Sequence, residues 1–141
     1  MATLTVSIQE ELVLNGKDRG SSYVTTFNAT EVDSRIVTIT NTEKSILLFG
    51  STIEAGTIKD ATLTYLRITN LDASTTVDLR IRDAAQEFMI RLNAGGSFIL
   101  TEDKLDADAT GSDETITLSQ IDSIKAISGA STSSLEIFAT A

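Results

Sequence analysis

Apolar and polar residues alternate along much of the chain with a period of two. In residues 3–8 every second position is Leu, Val or Ile, and in residues 77–82 the apolar positions alternate with Asp and Arg. A period of two places successive side chains on opposite faces, which is typical of a half-buried strand. Few windows show helical spacing, so the pattern predicts an all-β chain.

Turn signals separate the predicted strands. Asn15-Gly16 follows an apolar run and is the strongest short hairpin signal in the chain, while residues 17–22 are polar and are predicted as a loop. Further strands are predicted at residues 23–27, 35–40, 45–49, 62–69, 77–82, 88–92, 97–100, 115–118 and 135–139. We expect the run 45–49 to be buried on both faces, or to form the second arm of a hairpin.

The spacing of these strands predicts the architecture. Residues 77–82, 88–92 and 97–100 are joined by tight turns and predict an antiparallel meander. About eight to ten strands at intervals of roughly 8–12 residues are typical of a sandwich or a barrel. We therefore predict one domain over residues 1–141, an antiparallel β-sandwich, with a jelly roll as the favoured type.

Composition narrows the chemistry that this chain offers. It contains no Cys, His, Trp or Pro. Without His and Cys there is no Ser-His-Asp triad, no imidazole base, no thiolate nucleophile and no disulfide. We therefore expect a structural or binding protein without cofactors, and not an enzyme.

The charge of the chain is acidic and uneven. The net charge is −9, and residues 101–141 hold eight acidic and two basic side chains, which makes −6. Such a field repels phosphate backbones and anionic lipids, so neither a nucleic acid nor a membrane is an expected partner. The alternating start and the lack of a ~20-residue apolar run predict a soluble chain with no signal peptide and no membrane span.

The acidic stretch 101–114 is the one candidate metal site. Asp106, Asp108, Thr110 and Gly111 match the first half of a calcium loop, but Thr117 stands where the loop needs a bidentate Glu. The sequence predicts a solvated acidic loop, with a low-affinity calcium site at Asp106, Asp108 and Thr110 as the alternative.

A second candidate site is basic. Arg80, Arg82 and Arg91 fall in two neighbouring predicted strands, where their guanidinium groups would suit the carboxylates of a partner. The alternative, which the pattern favours, is an exposed sheet face neutralised by Asp78 and Asp83. The terminal strands, residues 3–8 and 135–139, are further expected contact points because edge strands offer unpaired backbone groups.

The middle of the chain carries a recognisable arrangement of turns. A strand ends in Asn70-Leu71-Asp72, a second strand covers residues 77–81, and a third ends in Leu92-Asn93-Ala94-Gly95 before an apolar strand. With the segments 118–126 and 135–138, this arrangement resembles small virion proteins of tailed bacteriophages, especially marine ones. The likeness spans most of residues 62–140. Ser97 departs from the acidic residue that is common there.

The resemblance implies a β-sandwich or jelly-roll virion protein present in many copies, and it carries over no catalytic residue. A capsid decoration (cement) protein fits the size and acidity. It would be a homo-oligomer, with a trimer favoured, bound to the major capsid protein at the capsid surface. A tail, baseplate or neck component is the alternative. A carbohydrate-binding module is a third hypothesis, disfavoured by seven aromatic residues without Trp.

Overall fold

The computed structural model describes residues 2–50, 56–59, 63–84, 86–102, 104–105 and 118–141, which form strands and turns without a helix. The strands are β1 (Ala2–Glu10), β2 (Val13–Leu14), β3 (Lys17–Asp18), β4 (Ser21–Ala29), β5 (Val32–Thr40), β6 (Lys44–Gly50), β7 (Thr57–Lys59), β8 (Tyr65–Asn70), β9 (Val77–Arg82), β10 (Glu87–Leu92), β11 (Ser97–Leu100), β12 (Lys104–Leu105), β13 (Ser119–Gln120), β14 (Ser123–Ser128) and β15 (Thr132–Thr140).

Two sheets packed face to face make up the body of the domain. One has the strand order β10-β9-β14-β6-β7 and the other the order β11-β8-β15-β5. Neighbouring strands are antiparallel except for the parallel pair β6–β7. The predicted all-β, antiparallel, sandwich-like single domain is therefore confirmed. The jelly-roll type stays a prediction.

The core lies between the two sheets because alternate residues of each strand point inward. Leu135, Ile137 and Ala139 on β15 are fully buried, as are Leu79 and Ile81 on β9. Burying one such aliphatic side chain contributes about 1.5–3 kcal/mol, which offsets the entropy lost on folding. The inward-pointing apolar residues of the two sheets thus form one hydrophobic core.

The chain passes from one sheet to the other between β5 and β6. A hairpin at this place is one of the two arrangements that the sequence predicts. β5 belongs to the four-stranded sheet, but β6 joins the five-stranded one, so the prediction that residues 45–49 form the second arm of a hairpin is wrong. In the pairing of β6 with β14, Ser45 lies opposite Lys125 and Leu47 opposite Ile124, so Ile46 forms a β-bulge. Burial on both faces also fails at two positions, because Ser45 and Leu48 are exposed.

The predicted meander is correct only for its first two strands. β9 and β10 pair in the five-stranded sheet, whereas β11 pairs with β8 in the opposite sheet. The turn after β10 contains Gly95 with φ 72°, a left-handed conformation that redirects the chain across the sandwich. A tight turn in the sequence does not specify whether the next strand stays in the same sheet.

One of the two predicted edge strands is central instead. β15 pairs with β5 on one side and with β8 on the other, so residues 135–139 offer no free backbone edge. β1, which contains residues 3–8, pairs only with β4 in the described part of the chain. The prediction of an exposed edge therefore holds for the first strand and is wrong for the last.

Candidate interaction surfaces

A long hairpin, residues 2–29, is named the arm. β1 pairs with β4 along nine positions, from Ala2 opposite Ala29 to Glu10 opposite Ser21, and β2 pairs with β3 at the tip. Asn15 and Gly16 turn the chain with φ 53° and 72°, which confirms the predicted Asn-Gly hairpin. The predicted loop at 17–22 is wrong, because β3 and β4 occupy most of it.

The base of the arm packs on the four-stranded sheet. One face of the arm is apolar, with Leu4 opposite Phe27, and both side chains are half-buried. The Phe27 ring lies 5.7 Å from that of Tyr65, which lies 6.3 Å from Phe138. Both distances are typical of aromatic pairs. The sheet thus supports this end of the arm.

Exposed apolar side chains continue along the arm beyond this support. Ile8 lies opposite Tyr23, and these side chains are 40% and 61% exposed. At the tip Leu12, Val13 and Leu14 are 53%, 67% and 54% exposed. The distal half of the arm therefore presents apolar side chains to solvent. Sequence reasoning missed this surface, although Leu12-Val13-Leu14 directly before Asn15-Gly16 was its signal.

The four-stranded sheet has an outer face, which faces away from the core. Ile36 lies opposite Glu136 and Ser34 opposite Phe138, so β5 and β15 present these side chains on one face. Ile36 and Val32 are exposed to 66% and 56%. Near them Arg67 and Glu136 pair at 2.8 Å, which neutralises both charges. This face is therefore largely uncharged and partly apolar.

The predicted arginines lie on the outward side of the five-stranded sheet. Asp78 lies opposite Arg91, and Arg80 opposite Met89. Arg91 binds both carboxylate oxygens of Asp78, with Nε–Oδ1 and Nη2–Oδ2 distances of 2.6 and 2.8 Å. This hydrogen bonding lowers the pKa of Asp78 and raises that of Arg91. Arg91 thus already has a carboxylate partner within the chain.

Arg80 is also paired internally. Its guanidinium contacts Glu87 at 2.8 Å and Glu43 at 2.9 Å, and the hydrogen bond that it donates to Glu87 is the main cause of its raised pKa. Lys125 reaches the other oxygen of Glu43 at 3.3 Å. Arg82 is exposed on the same face as Arg80. The structure thus brings the three arginines together beside acidic neighbours, and exposed pairs of this kind are individually weak.

Asp83 does not take part in this charged face. It is buried, and its Oδ1 accepts a hydrogen bond from the Gln86 backbone N–H at 2.5 Å, within the β9–β10 turn. The expectation that Asp78 and Asp83 together neutralise the arginines is therefore correct only for Asp78. Glu43 and Glu87 neutralise Arg80 instead. Glu43 is far from Arg80 in the sequence, so the sequence pattern does not indicate this pair.

The turns that carry the resemblance are hydrogen-bonded to each other. Asn70 is fully buried, and its amide donates to the carbonyls of Thr75 at 2.7 Å and Asn93 at 3.1 Å. Its Oδ1 accepts the Asp72 backbone N–H at 3.1 Å. The Gly95 N–H donates to the Asp72 carbonyl at 3.2 Å. These motif residues therefore hold two turns together and present no reactive group.

Asp72 stabilises its own turn. Its Oδ1 accepts the backbone N–H groups of Ser74 and Thr75, both at 2.9 Å. These two bonds favour the charged form and lower the pKa of Asp72. The lowered pKa of Asp72 therefore has a structural cause, the hydrogen bonding of its own turn.

Cavities and acidic clusters in the described part of the chain add no further candidate site. Asp106, Asp108 and Thr110 lie outside the described residues, as does most of the predicted strand 115–118. Within the described ranges no group of three acidic residues is placed to hold a metal, and no helix is long and apolar enough to cross a membrane. Four surface concavities measure about 240 to 280 Å³, below the ~300–1,000 Å³ usual for ligand sites.

The aromatic residues do not form an exposed platform. Tyr65 and Phe49 are buried, Tyr23 is exposed, and the other four are half-buried. Sugar-binding modules commonly stack a sugar ring on an exposed aromatic face. One exposed tyrosine on a narrow arm offers little of that surface.

Comparison of the chain with family models, with curated proteins and with solved structures finds no match.

Proposed function

We propose that this chain is a non-enzymatic structural protein of a tailed-bacteriophage virion, a decoration (cement) subunit that stabilises the major capsid lattice. The observation that carries the proposal is the arm. A sandwich that holds six exposed apolar side chains on a hairpin is suited to contact another protein, because monomeric proteins seldom expose large apolar patches; the six are Ile8, Leu12, Val13, Leu14, Tyr23 and Val24.

The charge distribution supports the same role. The chain has a net charge of −9, and the arginines Arg80 and Arg91 are already engaged by its own carboxylates. An acidic subunit is repelled by packaged DNA and suits the outside of a capsid. We propose a homo-oligomer, with a trimer favoured, in which strand edges or apolar patches outside the contact between copies engage the capsid.

A tail, baseplate or neck component is the alternative location. It uses the same fold and the same arm, and it differs in copy number. A decoration protein is present on the order of hundreds of copies per particle, whereas a tail component is present in about a dozen or fewer, as their different symmetries require.

The test compares particles with and without this protein. Deleting its coding sequence should give particles that release DNA at lower temperature or after transfer to low salt, because inter-subunit contacts have been lost. Adding back the purified protein should restore resistance. A protein with only the arm tip changed, Val13→Asp with Leu14→Asp, should not. Equal resistance of deleted and complete particles would refute the proposed role.

A further inference from the structure

The distal end of the arm exposes apolar side chains to solvent. From Val6, where the sheet still supports the arm, to Leu14 at the tip is about 25 Å at ~3.3 Å per residue. Ile8, Tyr23 and the tip residues Leu12, Val13 and Leu14 are each at least 40% exposed in this stretch, and burying them would supply part of the ~800 Å² that each partner contributes to a stable interface.

The chain itself offers a matching surface. At its base the apolar face of the arm already packs on the outer face of the four-stranded sheet, at Tyr65 and Phe138. Ile36 and Val32 extend that outer face and are more than half exposed. One sheet face therefore has two apolar regions, of which the arm of the same chain covers one.

The charges of the arm and of the outer sheet face permit contact between two copies of the chain. The arm contains Glu10, Glu11, Lys17, Asp18 and Arg19, so its net charge is −1. The remaining residues hold 17 acidic and 9 basic side chains and carry −8. Because the arm is nearly neutral and the receiving face pairs Arg67 with Glu136, docking there adds little repulsion.

We propose that the distal arm of one copy docks on the outer face of the four-stranded sheet of a second copy, over Val32 and Ile36. The contact joins two different surfaces, so each copy gives one arm and receives one, and the assembly is a closed ring when the repeated rotation returns to the first copy. β5 also has an unpaired edge in the described part of the chain, which lies beside the docked arm. This inference deepens the proposed assembly role by naming the surface through which the subunits join.

The first experiment measures the mass of the purified full-length protein by light scattering and sedimentation. We expect a closed oligomer in the wild type, and the trimer of the proposed function would have three times the monomer mass. Val13→Asp with Leu14→Asp on the arm, and Ile36→Asp on the receiving face, should each give monomers with unchanged circular dichroism. Met89→Asp is the matched control, because Met89 is 53% exposed on the other sheet, and this variant should remain oligomeric.

The second experiment locates the contact. The chain has no cysteine, so single cysteines can be introduced without background reaction. A short bismaleimide should join Val13→Cys in one copy to Ile36→Cys in a differently tagged copy, and should not join Val13→Cys to Met89→Cys.

A monomeric wild type, or an arm variant that stays oligomeric, would overturn the inference. An oligomer that tolerates Ile36→Asp and gives no Val13–Ile36 crosslink would overturn the receiving surface. Each measurement uses purified protein, so these failures are distinguishable from failure of the virion role, which is measured on particles.

Discussion

Removing the Asn70 side chain should lower the stability of the fold without changing the exposed surface of the protein. Asn70 is fully buried at the end of β8, and its amide links the turn after β8 to the turn after β10. Asn70→Ala removes three side-chain hydrogen bonds of 2.7 to 3.1 Å at once, together with a long one of 3.5 Å to the Leu92 carbonyl. Because the Thr75 and Asn93 carbonyls and the Asp72 N–H all lose a partner, we expect both turns to loosen together.

The magnitude follows from these three groups. A buried polar group left without a partner costs about 1–3 kcal/mol, and groups that water can partly reach lie at the low end of that range. Asp72 and Thr75 are only half-buried and Asn93 is exposed, so we take about 1 kcal/mol for each. Asn70→Ala should therefore lower the free energy of unfolding by about 3 kcal/mol, a large share of the ~5–15 kcal/mol of a typical domain.

The assay is urea unfolding followed by circular dichroism, with the slope compared between variants. Asn28→Ala is the matched control, because Asn28 is an exposed strand asparagine, and it should change stability by less than about 0.5 kcal/mol. Asn70→Asp should cost more at neutral pH than Asn70→Ala, since it places a negative charge against two carbonyls. A loss for Asn70→Ala no greater than that of the control would refute this reasoning.

Two further predictions concern the same turns and the charged face. Gly95→Ala places a side chain at φ 72° with open space around it, so only backbone strain acts, and thermal melts should show a loss of about 1–2 kcal/mol. The pKa values of Asp72 and Asp78 lie below the ordinary 3.8, so both carboxylates stabilise the fold above that pH, and this stability is lost as the pH falls through their lowered values. Acid titration should show it, and Asp78→Asn should remove part of the loss; an identical acid profile in Asp78→Asn would contradict the assignment.

Period-two patterning predicted much of the fold because it depends on local alternation. The buried positions of β9 and β15 follow directly from that alternation, and Asn15-Gly16 specified its hairpin through backbone conformation alone. Which sheet a strand joins depends on packing between distant segments. The placement of β11 against β8, and of β15 at the centre of its sheet, was therefore not predictable from local pattern.

The residues of the candidate surfaces were likewise predictable only where the local sequence pattern determines them. Arg80, Arg82 and Arg91 were found because their strand positions follow from alternation, and Asp78 was found as a neighbour in sequence. Glu43 was missed because it reaches Arg80 from the end of another strand. The exposed apolar tip was missed because an apolar run before a turn predicts a strand, and the pattern does not indicate whether any other segment covers it.

The central claim, that this chain is a capsid decoration subunit, is tested most directly by counting it in the particle. Quantitative mass spectrometry of purified virions should give its ratio to the major capsid protein. We predict a ratio near the order of one to one, with copies on the order of hundreds, as a lattice-bound subunit requires. About a dozen copies or fewer per particle, or none, would contradict the claim.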